Sequence, residues 1–181
     1  YLMRKVALID YSSSSVSLLI AKTEGSVMES ILHTRTPLSF AGSVYQDRKL
    51  TEIEIPELLD IPDSFIITCK ENGVSNLYAI ASANLASVKG IDDILALVTE
   101  KTDLGIYKLD MATEAEARIF ANERYSILPH STLIDFGSIT TKIYSFSDYI
   151  SSVPLGPLTL GQDYVSEVIP SRTEAKRIKV A

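Results

Sequence analysis

The stretch KVALIDYSSSSVSLLI, residues 5–20, returns in altered form as STLIDFGSITTKIYSF, residues 131–146. Each copy is an apolar run, the pair Ile-Asp, an aromatic, a turn of small residues and a second apolar run. The pairs are Ile9-Asp10 and Ile134-Asp135, and the aromatics are Tyr11 and Phe136. A repeat this widely spaced is far longer than a solenoid unit and marks two related folding units. Around the first copy, Lys5 to Asp10 and Val16 to Ala21 read as strands. A third strand covers Val27 to Thr36, after the turn signal Glu24-Gly25-Ser26. Short polar turns between the runs predict an antiparallel meander. Val, Ile and Leu dominate the first two strands, which predicts cover on both faces. From Ser131 a second meander follows: STLIDFG, ITTKIYSF and YISSVPLG.

Between the meanders the pattern turns to alternating helices and strands. Pro37 to Arg48 reads as a loop, and Thr51 to Leu59 as a helix limited by Pro56. Pro62 opens a second short helix that Gly73 closes, although the β-branched content of the segment also allows a strand. Asn76 to Ser82 reads as a strand. Gly90 to Glu100 is an amphipathic helix, with Ile91, Ile94, Leu95 and Val98 at helical spacing. Gly105 to Leu109 is a short strand, and Thr113 to Arg124 the clearest helix. Asp163 to Ile169 and Thr173 to Val180 read as closing helices. The simplest organisation is one βββαβαβα unit over 1–128 and the start of a second over 129–181.

Composition narrows the function classes. The 181 residues are 46% hydrophobic and 22% charged, the balance of a globular protein rather than a disordered tail. A net charge of −6 argues against a general DNA or RNA binder, which needs clustered Lys and Arg. The longest basic run, Lys176-Arg177 with Lys179 nearby, is too short to change that. One cysteine, Cys69, excludes an internal disulfide, and His33 and His130 cannot make a three-histidine metal site. No apolar stretch approaches the ~18 residues of a membrane span, and no secretory h-region opens the chain. The expected location is the cytoplasm. The chain begins with Tyr1, which suggests trimming or a tag.

A strand–turn–strand element with an acid at its entry and small residues at its tip has a chemical use. Backbone N–H groups of the turn converge on phosphate oxygens while the acid orients a hydrated divalent cation. The alternative is a plain hairpin in which the Asp hydrogen-bonds its own turn. No histidine partners the serine run as a nucleophilic triad would require. Cys69 reads as a buried small hydrophobe.

The ordered motifs resemble the exopolyphosphatase and guanosine-pentaphosphate phosphatase (Ppx/GppA) family of the actin, Hsp70 and sugar-kinase superfamily. Its first phosphate loop, D-x-G-S-N-S, resembles Asp10-Tyr11-Ser12-Ser13-Ser14-Ser15. Its T-x-x-L-R motif falls on Ser82-Ala83-Asn84-Leu85-Ala86, and its E-E-A-R helix on Ala115-Glu116-Ala117-Arg118. Its second loop, D-I-G-G-G-S-T-E, falls on residues 135–142, Asp135 to Lys142. A later Leu-Gly turn resembles Val153-Pro154-Leu155-Gly156. The resemblance runs over nearly the whole chain and implies an α/β actin-like, ribonuclease-H-like fold, a mixed sheet flanked by helices. It implies a phosphohydrolase that removes a terminal phosphate from polyphosphate or a phosphorylated guanosine nucleotide, with Mg²⁺.

The resemblance nominates Glu116 as the base that activates water, Asp10 and Asp135 as holders of the cation, and Ser12, Ser13, Ser14, Ser15, Gly137, Ser138 and Thr140 as phosphate ligands. Read locally, Thr113-x-x-Glu116 is also a capping box. The departures are specific. Ser12 and Ser14 replace Gly and Asn, Ala86 replaces an arginine, Ser138 and Ile139 replace glycines, and Lys142 replaces an acid. A β-branched residue is a poor fit at positive φ, so Ile139 predicts a reshaped second loop and weakened or absent phosphatase activity. Two rival readings are a non-catalytic phosphate or nucleotide sensor and an actin-fold scaffold resembling FtsA or PilM. In the superfamily a ligand sits in a cleft between two units, so the three carboxylates are expected within roughly 10 Å, bridged by a hydrated cation. The second unit reads as incomplete. That predicts weak catalysis by the isolated chain and an exposed apolar surface, which a homodimer could cover.

Overall fold

Strand β1, Arg4–Tyr11, pairs antiparallel with β2, Ser15–Glu24, which pairs antiparallel with β3, Val27–Pro37. This is the first predicted meander. The computed structural model describes residues 3–25, 27–38, 55–121, 132–145, 149–166 and 169–179. Among the described residues no helix is long and apolar enough to cross a membrane.

Alternation places one face of this sheet in the core. Ala7, Ile9 and Tyr11 of β1 are buried, and across the register Ile9 faces Leu18 while Tyr11 faces Val16, both fully buried. The other face of β1 is half-buried, and β3 is largely exposed. Strand β4, Asn76–Ala81, adds parallel to β1, and β5, Ile106–Lys108, adds parallel to β4. The order β3-β2-β1-β4-β5 is the mixed, ribonuclease-H-like sheet that the sequence predicts.

Helix α1, Ile55–Glu71, links β3 to β4. Two helices broken near Pro62 were the expectation; one helix runs through that proline. Proline in a helix interior removes one backbone bond and costs about 3 kcal/mol in isolation. Here Leu58, Pro62, Phe65 and Cys69 form one buried stripe, and α1 packs on β1, β2 and a later helix. Burial of each large apolar side chain contributes roughly 1.5–3 kcal/mol, enough to carry the helix past the lost bond. Its end is as predicted: Gly73 takes φ 66°, with Gly73 N–H on the Lys70 carbonyl at 3.1 Å and Val74 N–H on that of Cys69 at 3.0 Å. This pair of bonds is the Schellman closure, which favours glycine.

A one-turn helix α2, Ala83–Ala86, which the periodicity did not reveal, is capped by Ser82. Helix α3, Ile91–Thr102, buries the four predicted residues Ile91, Ile94, Leu95 and Val98.

Helix α4, Met111–Ala121, opens the second unit. The chain divides into units Tyr1–Asp110 and Met111–Ala181, and α4 sends its ion pairs to the second meander, described below. Because α4 starts at Met111, Thr113 lies inside it, and the Thr113–Glu116 capping box does not open this helix. Residues 122–124 of the predicted helix, and 39–48 of the predicted loop, fall outside the described residues. The second meander is β6, Thr132–Phe136, β7, Thr141–Ser145, and β8, Tyr149–Val153, all antiparallel.

Helix α5 spans Pro157–Tyr164 rather than the predicted 163–169. Pro157 supplies a first helical position that needs no N–H. The Thr159 hydroxyl accepts from Gly156 N–H at 2.7 Å and donates to the Gly156 carbonyl at 2.8 Å. Helix α6, Arg172–Ile178, overlaps the predicted last helix but starts one residue earlier, opened by a Ser171–Glu174 capping box. Large apolar side chains stand exposed in this unit, among them Phe120, Ile134 and Phe136.

Candidate functional site

The two repeated hairpins share one register. Asp10 lies opposite Ser17 and Tyr11 opposite Val16; Asp135 lies opposite Lys142 and Phe136 opposite Thr141. Each turn closes with the same backbone bond, Ser12 N–H to the Ser15 carbonyl at 2.8 Å and Gly137 N–H to that of Thr140 at 2.9 Å. The repeat is therefore a repeat of geometry. The glycine-to-Ile139 change is accommodated without a left-handed residue: among the described non-glycine residues only Asp103 has positive φ, and Ile139 is buried.

In the first turn, serines close the loop on themselves. The Ser12 hydroxyl donates to the Ser15 carbonyl at 2.9 Å and accepts from Ser15 N–H at 3.1 Å, with the two hydroxyls 3.0 Å apart. The Ser12 side chain is thus a hydrogen-bonding partner inside its own turn. Arg35, on β3, reaches across: its Nε donates to Ser15 Oγ at 2.7 Å and its Nη2 to Ser14 Oγ at 3.3 Å. Arg35 was not singled out from sequence. It is a lone cation on a strand, and only the β2–β3 register, which sets Arg35 opposite Ser17, brings it beside the serine turn.

In the second turn the backbone is held from behind. The Ser138 carbonyl accepts from Leu158 N–H at 3.0 Å, and the Thr141 hydroxyl donates to the Leu155 carbonyl. A Cβ on Gly156 would sit 2.5 Å from the Ser138 carbonyl oxygen, so the Leu155-Gly156 turn needs glycine for close approach. Of the nominated phosphate ligands here, Gly137 spends its N–H on turn closure and Ser138 its carbonyl on α5.

Charge is concentrated on one side of this turn. Lys142 Nζ donates to Glu114 Oε1, and the two side chains are only 5% and 7% exposed. Arg118 donates to the same oxygen, Nη2 at 3.2 Å and Nε at 3.3 Å. Arg118 Nε also lies 3.1 Å from Asp135 Oδ2. The ion pairs run in a chain of alternating sign, Lys142, Glu114, Arg118, Asp135, whose two ends stand opposite each other in the β6–β7 register. For Arg118, burial opposes the charge but is outweighed by Asp135 and Glu114, so its pKa is raised above the ordinary arginine value.

Helix α4 thus presents Glu114 to the second turn, one helical turn from Arg118, whereas the nominated base Glu116 is exposed. The pattern Glu114-x-x-x-Arg118 was the available signal; the Ala-Glu-Ala-Arg match drew attention to Glu116 instead. Asp10 and Asp135 belong to separate units, and each is described within its own hairpin. Ala86, where the resemblance expects an arginine, ends α2.

Mg²⁺ requires several oxygen ligands and net negative charge. Among the described residues no group of three or more His, Cys, Asp or Glu side chains could hold a metal ion. Asp135 already faces a guanidinium, and a buried ammonium holds Glu114. The second turn does not fit the ion.

No protein-family model matches the chain, and neither does any curated protein sequence. Solved structures do match in fold. A Ppx/GppA family member from Aquifex aeolicus superposes with a TM-score of 0.72 at 23% identity, over 97% of this chain and 59% of that one. An exopolyphosphatase from Cytophaga hutchinsonii gives 0.76 at 13% identity, over 96% and 58%. The ethanolamine utilization protein EutJ from Carboxydothermus hydrogenoformans gives 0.53 at 16% identity, over 100% and 62%. The chain therefore spans about 60% of the length of the solved structures it matches and shares their actin-like fold.

Proposed function

We propose, from a fold shared with the Ppx/GppA structures, that this chain takes part in binding the terminal phosphate of polyphosphate or of a phosphorylated guanosine nucleotide. The observation that carries the reading is Arg35 laid across the Ser12–Ser15 turn. A guanidinium has five N–H donors in a planar fork, and this exposed one gives two of its N–H groups to serine hydroxyls. Arginine with adjacent hydroxyls is a setting suited to phosphate oxygens, which accept charge-assisted hydrogen bonds. Binding is preferred over hydrolysis because metal-assisted water attack needs a cation that the second turn's charges do not accommodate. The hydrolytic reading keeps one supporting observation: Glu116 is exposed on α4, accessible to a water.

Calorimetric titration with polyphosphate and guanosine pentaphosphate, run beside a phosphate-release assay, tests the proposal. Saturable binding without release is expected, and Arg35→Gln should weaken it by roughly tenfold with no change in the urea midpoint. Absent binding, or binding indifferent to Arg35→Gln, overturns it. Steady phosphate release that Glu116→Gln abolishes would establish the hydrolytic reading instead.

A further inference from the structure

We infer that the second turn carries its own counter-cation, Lys142, and is built to keep its charge balance without a divalent ion. The cluster of Asp135, Lys142, Glu114 and Arg118 contains two anions and two cations. A buried charge is tolerated only when paired, and Lys142 and Glu114 are the most buried members, each answering the other. A dication placed among Asp135 and Glu114 would add two positive charges to a neutral cluster. It would also have to displace Arg118 from Asp135 and face a buried ammonium, where like charges repel without much screening.

A cation at the position opposite the aspartate belongs to the second copy of the repeat alone. The position opposite Asp10 in the first hairpin is Ser17, whereas the position opposite Asp135 is Lys142. Two hairpins with one backbone register have therefore been given different charge designs. The inference concerns cations and does not depend on the phosphate-binding reading, because it can be tested with no phosphate compound present.

The experiment is a melting series on the full 181-residue chain with Mg²⁺ or Mn²⁺, joined to an electron-paramagnetic-resonance titration of free Mn²⁺. The wild type should show no shift and no bound Mn²⁺. Lys142→Glu places a third carboxylate beside Asp135 and Glu114; Mn²⁺ should then raise the melting temperature by roughly 5 °C or more once it exceeds its Kd about 100-fold. Folding of that variant only when Mn²⁺ is present would be the same result in stronger form. Lys142→Gln removes the cation with little change of length and should show a smaller Mn²⁺-dependent rise; it decides the matter if Lys142→Glu never folds. Mn²⁺ binding by the wild type that Asp135→Asn abolishes would overturn the inference. So would Lys142→Gln protein that folds and ignores Mn²⁺.

Discussion

Lys142 and Glu114 form a buried ion pair between β7 and α4, joining a strand of the second meander to the helix that precedes it in sequence. Breaking a buried pair from one side strands the other charge, which costs about 3–5 kcal/mol, whereas replacing both partners with apolar groups is often neutral. Lys142→Met should therefore lower stability by about 3 kcal/mol or more in urea unfolding. Lys142→Met combined with Glu114→Leu should recover a large part of that loss. Equal losses in single and double variants would show that the pair is not coupled.

The acid limb of stability should involve the last helix. Glu174 is held down to about 2 from an ordinary 4.5, first by the Ser171 hydroxyl and N–H and then by those of Ser166. A depressed folded-state pKa means the contribution is present above the ordinary value and is lost as pH falls from about 4.5 toward about 2. Chemical-shift titration of the Glu174 carboxyl should show the low midpoint. Ser166→Ala should move it upward, and an unmoved midpoint would remove Ser166 from the explanation.

Two glycines should respond very differently from a helical one with open space around it. Gly73→Ala puts a Cβ at φ 66° and should cost about 1 kcal/mol. Gly156→Ala drives a Cβ into the Ser138 carbonyl and should cost more, about 1–3 kcal/mol by forced backbone shift. Gly161 lies within α5 with open space around it, so Gly161→Ala should stabilise by up to about 1 kcal/mol. Thermal melts of the three variants give the ranking directly.

Glu116→Gln should leave the urea midpoint within about 0.5 kcal/mol of wild type, because exposed substitutions away from special features do little. Glu114→Gln, two residues earlier on the same helix, should be clearly destabilising, since its partner Lys142 is buried. If the two variants unfold alike, the assignment of Glu114 as the inward carboxylate fails.

Local signals were enough for much of the fold. Apolar runs between short polar turns located all three strands of the first meander, and Ile91, Ile94, Leu95 and Val98 marked the buried face of α3. The repeat of Ile-Asp, an aromatic and a small-residue turn foretold two hairpins of the same register, because strand pairing and turn length are set by residues close in sequence. Where the reading went astray, distant contacts decided. Pro62 looks like a helix start, and it is burial beside Leu58 and Phe65 that carries α1 through it. Asp163 to Ile169 looked helical, yet Gly156, Pro157 and Thr159 start the helix earlier.

The charged residues divide in the same way. Sequence alone determined which acids, serines and glycines occupy the two turns, and that Lys142 stands where the resembling family has an acid. Only tertiary structure decided that Glu114 rather than Glu116 turns inward, that Arg118 holds Asp135, and that Arg35 lies across the serine turn. Ion pairs between elements depend on the angle of a helix against a sheet and on strand order, quantities that no local pattern of residues contains.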